Sequence, residues 1–166
     1  MNTDDIAVLL IDMQEEFTGY IGDRLNGLIE AQLGVIKYCS DKDIPLVILE
    51  YDPSSYATTE PVLKKSISRV PRHTFIGKDS RSGFVRTNLD EVLYDFNRFH
   101  LYLMGIYANQ CVRATAQSAI EKGYGIATSG DVISEVNGKL FTTWFEENGL
   151  FTRTYKGMIK TLEKSL

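Results

Sequence analysis

The sequence predicts an α/β protein with a mostly parallel sheet covered by helices on both faces. Short apolar runs, of a length typical of buried strands, alternate with stretches whose apolar residues recur at helical spacing. The 166 residues suffice to bury a sizeable core, and no linker, repeat or low-complexity tract divides them. We therefore expect one domain over residues 1–166.

The first half of the chain predicts three strands and one long helix. The strands are expected at residues 7–11, 45–49 and 73–76. The apolar face of the helix is formed by Leu25, Ile29, Leu33 and Ile36. Residues 53–72 show little periodicity, and we predict a long loop there, which is a usual place for a functional or mobile segment.

The second half repeats this alternation. Strands are predicted at residues 101–104, 124–128 and 150–154, and terminal helices at 140–147 and 158–166. Thr87 and Asp90 have the spacing of a capping box at the start of another helix. The helix after strand 101–104 is indicated by Val112, Ala116, Ala119 and Ile120, and Gly123 is expected to end it.

Composition and charge narrow the possible functions. A formal charge of -4 and a pI of about 5.2 argue against binding to a nucleic-acid backbone. The chain shows no signal-peptide pattern and no apolar run long enough to cross a membrane, so we expect no membrane partner. Cys39 and Cys111 are the only cysteines and form no disulfide framework, which favours a reducing, cytoplasmic setting.

Cys111 is the first candidate catalytic residue. It is predicted at a strand-to-helix corner, inside the first turn of the helix. Unpaired N–H groups and the helix dipole favour an anion there, so the thiol is expected to lose its proton more easily than a free cysteine. Most cysteines are inert small residues of the core, so a purely structural role is the alternative interpretation of Cys111.

Asp12 and Lys78 are the second and third candidates, because each follows a predicted strand. Side chains at the carboxyl ends of parallel strands meet at one edge of the sheet. Taken singly, Asp12 is also typical of a turn residue and Lys78 of a solvated charge. A thiol, an acid–base carboxylate and a cation together form a workable hydrolytic set.

Three ordered motifs resemble those of the isochorismatase-like cysteine hydrolases. They are LLIDMQEEF at residues 9–17, KDSRSGF at 78–84 and GIYANQCV at 105–112. The resemblance runs from about residue 6 to Asp131 and is weaker beyond it. It implies a Rossmann-like, three-layer α/β/α sandwich with a six-stranded parallel sheet.

The same resemblance implies a catalytic mechanism. Cys111 would attack a carbonyl-type carbon and form a thioester-like intermediate, and Asp12 would accept and return the proton. Lys78 would hold both groups electrostatically. Backbone N–H groups of Tyr107 and Cys111 would form the oxyanion hole, after a cis peptide bond between Ile106 and Tyr107.

Departures from the family pattern concern metal binding. Nicotinamidase members have a metal-binding Asp-x-His after the second strand, whereas the matching stretch here is Asp52-Pro53-Ser54. His73 and His100 are the only histidines and both are more typical of structural positions. We therefore predict no zinc-type site and no cofactor. Ala108 also replaces the threonine usual in the nucleophile segment.

The substrate is only broadly indicated. Phe17, Tyr20, Tyr51 and Trp144 are candidate pocket residues, and Arg81 is a candidate partner for a substrate anion, although each also fits ordinary packing or a solvated charge. Isochorismatases that cleave vinyl ethers characteristically lack the cysteine. Cys111 therefore favours C–N hydrolysis of a small amide, ureido or carbamoyl compound.

Other functions stay open at this point. The chain is short for the family after Asp52 and Asp131, which indicates either an open pocket or a pocket that a neighbouring subunit completes. The resemblance implies a homo-oligomer, at least a dimer. One alternative is a catalytically idle relative that binds a metabolite or a protein partner. Others are an isochorismatase-type ether hydrolase and a redox role for Cys111.

Overall fold

A six-stranded sheet forms the centre of the protein. The structure is a computed structural model and describes residues 1–52 and 58–165. The strands are β1 (Ile6–Ile11), β2 (Leu46–Tyr51), β3 (His73–Lys78), β4 (His100–Gly105), β5 (Gly125–Ile133) and β6 (Leu150–Thr152). All neighbouring strands pair in parallel, in the order β3-β2-β1-β4-β5-β6, which confirms the predicted parallel, Rossmann-like sheet.

Helices connect the strands and cover the sheet as the outer layers of the predicted sandwich. They are α1 (Glu15–Thr18), α2 (Leu25–Lys42), α3 (Pro61–Ile67), α4 (Leu89–Asp95), α5 (Arg113–Glu121), α6 (Thr143–Asn148) and α7 (Tyr155–Lys164). A π-helical turn, Ala108–Val112, precedes α5. Within the described part of the chain, no helix is both long and apolar enough to span a bilayer.

The order of the strands reverses between β1 and β4, at the centre of the sheet. Every residue of β1 is buried, as expected for a strand that is covered on both faces and therefore reads as a continuous apolar run. The last residue of β1, Ile11, lies opposite Gly105, the last residue of β4. Ligands of doubly wound sheets bind outside the carboxyl ends of the strands at such a reversal.

The predicted loop at 53–72 is partly wrong. Within its described residues, 58–72, the chain forms α3, which begins with a proline at its first helical position, where the missing N–H costs nothing. Leu63 and Ile67, one turn apart, are the two residues by which this helix enters the core. Two apolar positions are too few for the periodicity to stand out. Residues 53–57 of the predicted loop lie outside the described residues.

The predicted capping box does not form. Helix α4 begins at Leu89, and the Thr87 hydroxyl accepts a hydrogen bond from the Leu89 N–H at 3.3 Å while donating to the Gly83 carbonyl. Asp90 accepts hydrogen bonds from the Tyr124 hydroxyl at 2.5 Å and the Lys122 ammonium at 3.5 Å. Asp90 thus joins α4 to the segment that follows α5.

Candidate active site

Asp12, Lys78 and Cys111 converge at the carboxyl edge of the sheet. Asp12 directly follows β1, Lys78 is the last residue of β3, and Cys111 lies in the π-helical turn after β4. Gly105 makes this approach possible, because a Cβ at its position would lie 2.1 Å from the Ile11 carbonyl oxygen. Its φ of +128° is also one that residues with a side chain rarely adopt.

The Asp12 carboxyl group and the Lys78 ammonium group form a buried ion pair. Lys78 Nζ lies 3.1 Å from Asp12 Oδ2, and the two side chains are 0% and 5% exposed. The ammonium group also donates to the carbonyl oxygens of Ser80 at 3.0 Å and Arg81 at 3.4 Å. Its nitrogen lies 5.0 Å from the centre of the Tyr51 ring. These partners compensate for the desolvation of the lysine.

The residue Asp12 has an unusual backbone conformation. Asp12 has a φ of +54°, a left-handed conformation that aspartate tolerates better than most residues, and its N–H donates to the Leu49 carbonyl at 3.0 Å. Its second oxygen, Oδ1, is buried and has no hydrogen-bond partner among the described residues. Burial raises the pKa of Asp12 above its ordinary value, and Lys78 and Cys111 oppose that rise.

The Cys111 thiol is half-buried beside this pair. Burial first, and then the negative charge of Asp12, raises the pKa of Cys111 to about 12, while the positive charge of Lys78 opposes the rise. The sequence-based expectation of an acidified thiol is therefore wrong in direction. Desolvation and the adjacent carboxylate both raise the pKa, and Cys111 lies in the π-helical turn before α5 instead of in the first turn of α5.

Cys111 lines its pocket together with Ile106 and Tyr107. The Ile106–Tyr107 peptide bond is cis, as the resemblance predicted. The Ile106 N–H donates to Ile11 at 3.0 Å and the Ala108 N–H to Ser134 at 2.8 Å. Between them, the Tyr107 N–H donates to no acceptor within the described residues, so it is available to a bound molecule.

These groups open into a pocket of about 200 Å³. Its lining includes Asp12, Cys111, Tyr107, Phe17, Tyr51 and Arg81. The Phe17 ring meets the rings of Tyr51 and Tyr107 edge to face, with centroids 6.1 and 6.4 Å apart. The Tyr107 hydroxyl donates to the Phe17 carbonyl at 2.7 Å, which ties two of these aromatic residues together.

Two candidate pocket residues lie elsewhere. Trp144 is not part of this lining: its ring lies 5.0 Å from the guanidinium carbon of Arg113 and packs edge to face on Phe145. Tyr20 is 63% exposed and is likewise not part of the lining. Lys78 lies behind Asp12 and contacts the pocket through it.

Sequence reasoning missed the polar residues that hold the pocket walls in place. Gln14 is fully buried, and its side chain donates to the Tyr51 carbonyl at 2.9 Å and accepts from the Tyr51 N–H at 2.6 Å. Glu50 accepts from the N–H of Thr59 at 2.8 Å and from its hydroxyl at 2.9 Å. The available signal was the position of these polar residues at the ends of apolar runs. Polar side chains that are buried at such positions are hydrogen-bonded, so partners could have been expected.

Glu135 is a further residue that sequence reasoning missed. Its carboxylate accepts hydrogen bonds from the N–H groups of Asn109, at 2.9 Å, and Val136, at 3.2 Å. Asn109 belongs to the π-helical turn that carries Cys111. Glu135 therefore links that turn to the segment after β5.

The described residues contain no group of three or more His, Cys, Asp or Glu side chains arranged to hold a metal ion. His73 begins β3 and its ring nitrogen Nδ1 lies 2.7 Å from the Val70 carbonyl oxygen. His100 is the first residue of β4. Of the stretch that matches the metal-binding motif, only Asp52 lies within the described residues.

Known structures share this architecture. The MAR1 ribonuclease from Caenorhabditis elegans superposes with a TM-score of 0.83 at 22% identity, over 98% of this chain and 83% of that chain. The nicotinamidase SaPncA from Staphylococcus aureus superposes with a TM-score of 0.76 at 20% identity, over 90% of this chain and 99% of that chain. At these identities the likeness shows a common fold.

Similarity in sequence identifies the family. Isochorismatase domain-containing protein 2 from Danio rerio is 24% identical over 165 residues, which cover 98% of this chain and 81% of that protein. The family model of the isochorismatase domain matches residues 6–146. This match includes the carboxyl ends of β1, β3 and β4, and with them Asp12, Lys78 and Cys111. The chain therefore belongs to the isochorismatase family, whose members are hydrolases.

Proposed function

We propose that this chain is a cysteine-dependent hydrolase that cleaves a C–N bond of a small amide, ureido or carbamoyl compound. One observation carries the proposal: the Cys111 thiol opens into a pocket directly beside the buried Asp12–Lys78 pair. A nucleophile, a proton acceptor and a fixed cation are the groups that covalent acyl transfer requires.

Asp12 acts as the general base in the first half-reaction. The Cys111 thiol is protonated at rest, and the raised pKa of Asp12 makes its carboxylate a better proton acceptor than an ordinary aspartate. The thiol proton passes to Asp12 as the sulfur forms a bond to the substrate carbonyl carbon. When the C–N bond breaks, the leaving nitrogen takes that proton from Asp12 and departs as ammonia or an amine, leaving a thioester.

In the second half-reaction, water hydrolyses the thioester with Asp12 again as the proton acceptor. Asp12 accepts a proton from water as the water oxygen bonds to the thioester carbon. The C–S bond then breaks, the sulfur takes the proton back from Asp12, and the acid product leaves. Free enzyme is regenerated, with one water consumed for each C–N bond.

Lys78 and the backbone stabilise the charges that develop. The ammonium group of Lys78 lies 3.1 Å from the carboxyl group that gains and loses the proton, and it favours negative charge on either Asp12 or Cys111. We propose that the N–H groups of Tyr107 and Cys111 bind the oxyanion. Such fixed donors are worth about 10²–10³ in rate.

The pocket limits the substrate to a small molecule. Its volume of about 200 Å³ is below the usual range for drug-sized ligands, about 300–1,000 Å³. We propose that the aromatic rings of Phe17 and Tyr51 contact the substrate, since both line the pocket and are held by Tyr107 and Gln14. An aromatic wall suits the flat face of an amide or ureide.

A screen of primary amides, ureides and carbamoyl compounds for ammonia release tests this function. The proposal predicts turnover of at least one class by the wild-type protein and none above background by Cys111→Ala. Inclusion of an RNA substrate tests the activity named for the MAR1 ribonuclease. Turnover of RNA or of a vinyl ether alone would contradict C–N hydrolysis, and binding without turnover would favour the idle relative.

We also propose a homo-oligomer in a reducing, cytoplasmic setting. Tyr94 and Phe141 are large apolar residues that are 77% and 70% exposed in the single chain, and a second copy that covered them would remove this apolar surface from water. Both cysteines are free thiols, which a reducing compartment preserves. A monomer by light scattering at micromolar concentration would contradict the oligomer.

A further inference from the structure

A second cleft adjoins the cysteine pocket. It has a volume of about 230 Å³ and is lined by Arg81, Asn109, Gln110, Arg113, Ala114 and Gln117; we call it the arginine cleft. Arg81 and Gln110 also line the pocket that contains Cys111. A single elongated ligand can therefore occupy both, with one end at the thiol and the other between the two arginines.

The arginine cleft has positive charge without a matching acid. In the described part of the chain, neither Arg81 nor Arg113 forms an ion pair, whereas Arg72 and Arg86 pair with Asp43 and Asp79. The cleft lining contains two guanidinium groups, three amide side chains and one alanine, and no carboxylate. This is a local excess of positive charge on a chain whose formal charge is -4.

Two carboxylates of the surrounding segments have other partners. Glu135 accepts the hydrogen bonds of the Asn109 and Val136 N–H groups, and its contact with the Gln110 amide nitrogen, at 3.5 Å, is the longest of the three. Asp12, in the adjoining pocket, pairs with Lys78. Both arginines thus retain their hydrogen-bond capacity for a ligand.

The Arg113 side chain also contacts the ring of Trp144. Its guanidinium carbon lies 5.0 Å from the centre of the Trp144 ring, a cation–π contact that restricts the side chain and leaves its N–H groups free. Trp144 is therefore a positioning residue for Arg113. This gives it a connection to the site without direct contact with the cysteine pocket.

We propose that the substrate has a carboxylate that binds between Arg81 and Arg113 while its C–N carbonyl group faces Cys111. Guanidinium groups offer a planar pair of N–H donors that matches a carboxylate, and amide side chains such as Gln117 complete the hydrogen bonding. The substrate class is then an amide or ureide with a carboxylate at its far end. The inference rests on the proposed C–N hydrolysis, but its anion-binding part is testable without turnover.

Protection of Cys111 from alkylation tests the binding step alone. Iodoacetamide labelling is measured with increasing glutaramate, its neutral analogue glutaramide, or inorganic phosphate. We expect glutaramate to protect at concentrations at least about tenfold lower than glutaramide, and Arg81→Gln or Arg113→Gln to abolish that difference. Trp144→Leu should partly reduce the difference between glutaramate and glutaramide. The control Arg69→Gln should leave this difference unchanged, because Arg69 is an exposed arginine on the segment that leads to the amino ends of the strands.

The outcomes separate the two proposals. Equal protection by glutaramate and glutaramide, or an equal loss in Arg69→Gln, would overturn the carboxylate site. Protection by phosphate in preference to glutaramate would overturn the choice of carboxylate. Protection of Cys111 by glutaramate in a protein that releases ammonia from no amide or ureide would contradict C–N hydrolysis but would support the anion site. Hydrolysis of neutral and carboxylate-bearing amides at the same kcat/KM would support C–N hydrolysis and contradict the carboxylate site.

Discussion

The two cysteines of this chain contrast in environment more than in acidity. Cys39 lies on α2 with no exposed surface, and burial raises the pKa of its thiol. Burial also raises the pKa of Cys111, to about 12. What differs is the neighbourhood: Cys111 opens into a pocket and interacts with Asp12 and Lys78, whereas no ionisable side chain contributes to the shift at Cys39.

A low resting pKa is therefore not what distinguishes the candidate nucleophile. A thiol with a pKa of about 12 is almost fully protonated at neutral pH, so its reactivity must come from an adjacent group that accepts the proton during attack. Asp12 is placed to do this and Cys39 has no such partner.

Replacement of Cys111 should have the largest effect. We expect Cys111→Ala to lower kcat by at least about 10⁴-fold, because loss of a nucleophile removes the covalent route. Cys39→Ala should leave kcat within about threefold of the wild type, since Cys39 lies in the core away from the pocket. Rates are compared on protein shown to be folded by circular dichroism. Equal losses in both variants would end the distinction.

Lys78→Met should destabilise the protein by about 3–5 kcal/mol at neutral pH, because it leaves the buried Asp12 carboxylate without its counter-ion. Urea unfolding measures this, with Arg86→Gln as the matched control. Arg86 pairs with Asp79, the residue next to Lys78, in full solvent, and its replacement should cause little change. A similar loss of stability in both variants would contradict the burial of the Asp12–Lys78 ion pair.

The pH dependence of Lys78→Met stability has a definite sign. Burial raises the pKa of Asp12 in the folded protein above its unfolded value, and removal of Lys78 raises it further. The folded state then binds a proton more tightly than the unfolded state, so stability is lost as pH rises through the folded pKa. We expect the variant to be closer to wild-type stability at pH 5 than at pH 8. Urea titrations at both values measure it.

Cys39→Ala should have the smallest effect, a loss of about 1–2 kcal/mol in unfolding free energy from a core position. The rate at which iodoacetamide labels Cys111 should not change, because Cys39 lies on α2 and is not among the residues that line the pocket. Denaturant unfolding and mass spectrometry of the labelled protein measure both quantities. A changed labelling rate would mean that the core cysteine influences the site.

Much of this architecture is predictable because the central strands are buried on both faces. Their sequences are then uninterrupted apolar runs, as in β1, and the polar residue that follows β1 is Asp12. Lys78 instead ends β3, an edge strand in which only Ile76 and Lys78 are buried. Helix α3 was not predicted, because only Leu63 and Ile67 face the core. Strand β5 continues past its predicted end to Ile133, which pairs with Gly105 of β4, and the buried Ser129 hydroxyl hydrogen-bonds to Tyr102 at 2.7 Å and to Thr152 at 2.8 Å. These are long-range partners that the local sequence pattern does not show.

The electrostatics of the site could not be predicted from sequence. A helix terminus suggested an acidic thiol, but the pKa of Cys111 depends on how deeply it is buried and on its nearness to Asp12, both tertiary properties. The pairing of Gln14 with Tyr51 and the stacking of Trp144 on Arg113 are likewise long-range contacts. Sequence reasoning proposed the candidate catalytic residues, and the fold determines the burial and the neighbouring charges that shift their pKa values.

The pH dependence of Cys111 alkylation tests most directly whether Asp12, Lys78 and Cys111 act as one site. In a Cys39→Ala background, iodoacetamide labelling is followed against pH for the parent protein, Asp12→Asn and Lys78→Met. The two variants should shift the thiol pKa in opposite directions: Asp12→Asn lowers it by removing a negative charge, and Lys78→Met raises it by removing a positive one. A pKa near 8.5, the ordinary value of a free thiol, in all three proteins would contradict the account.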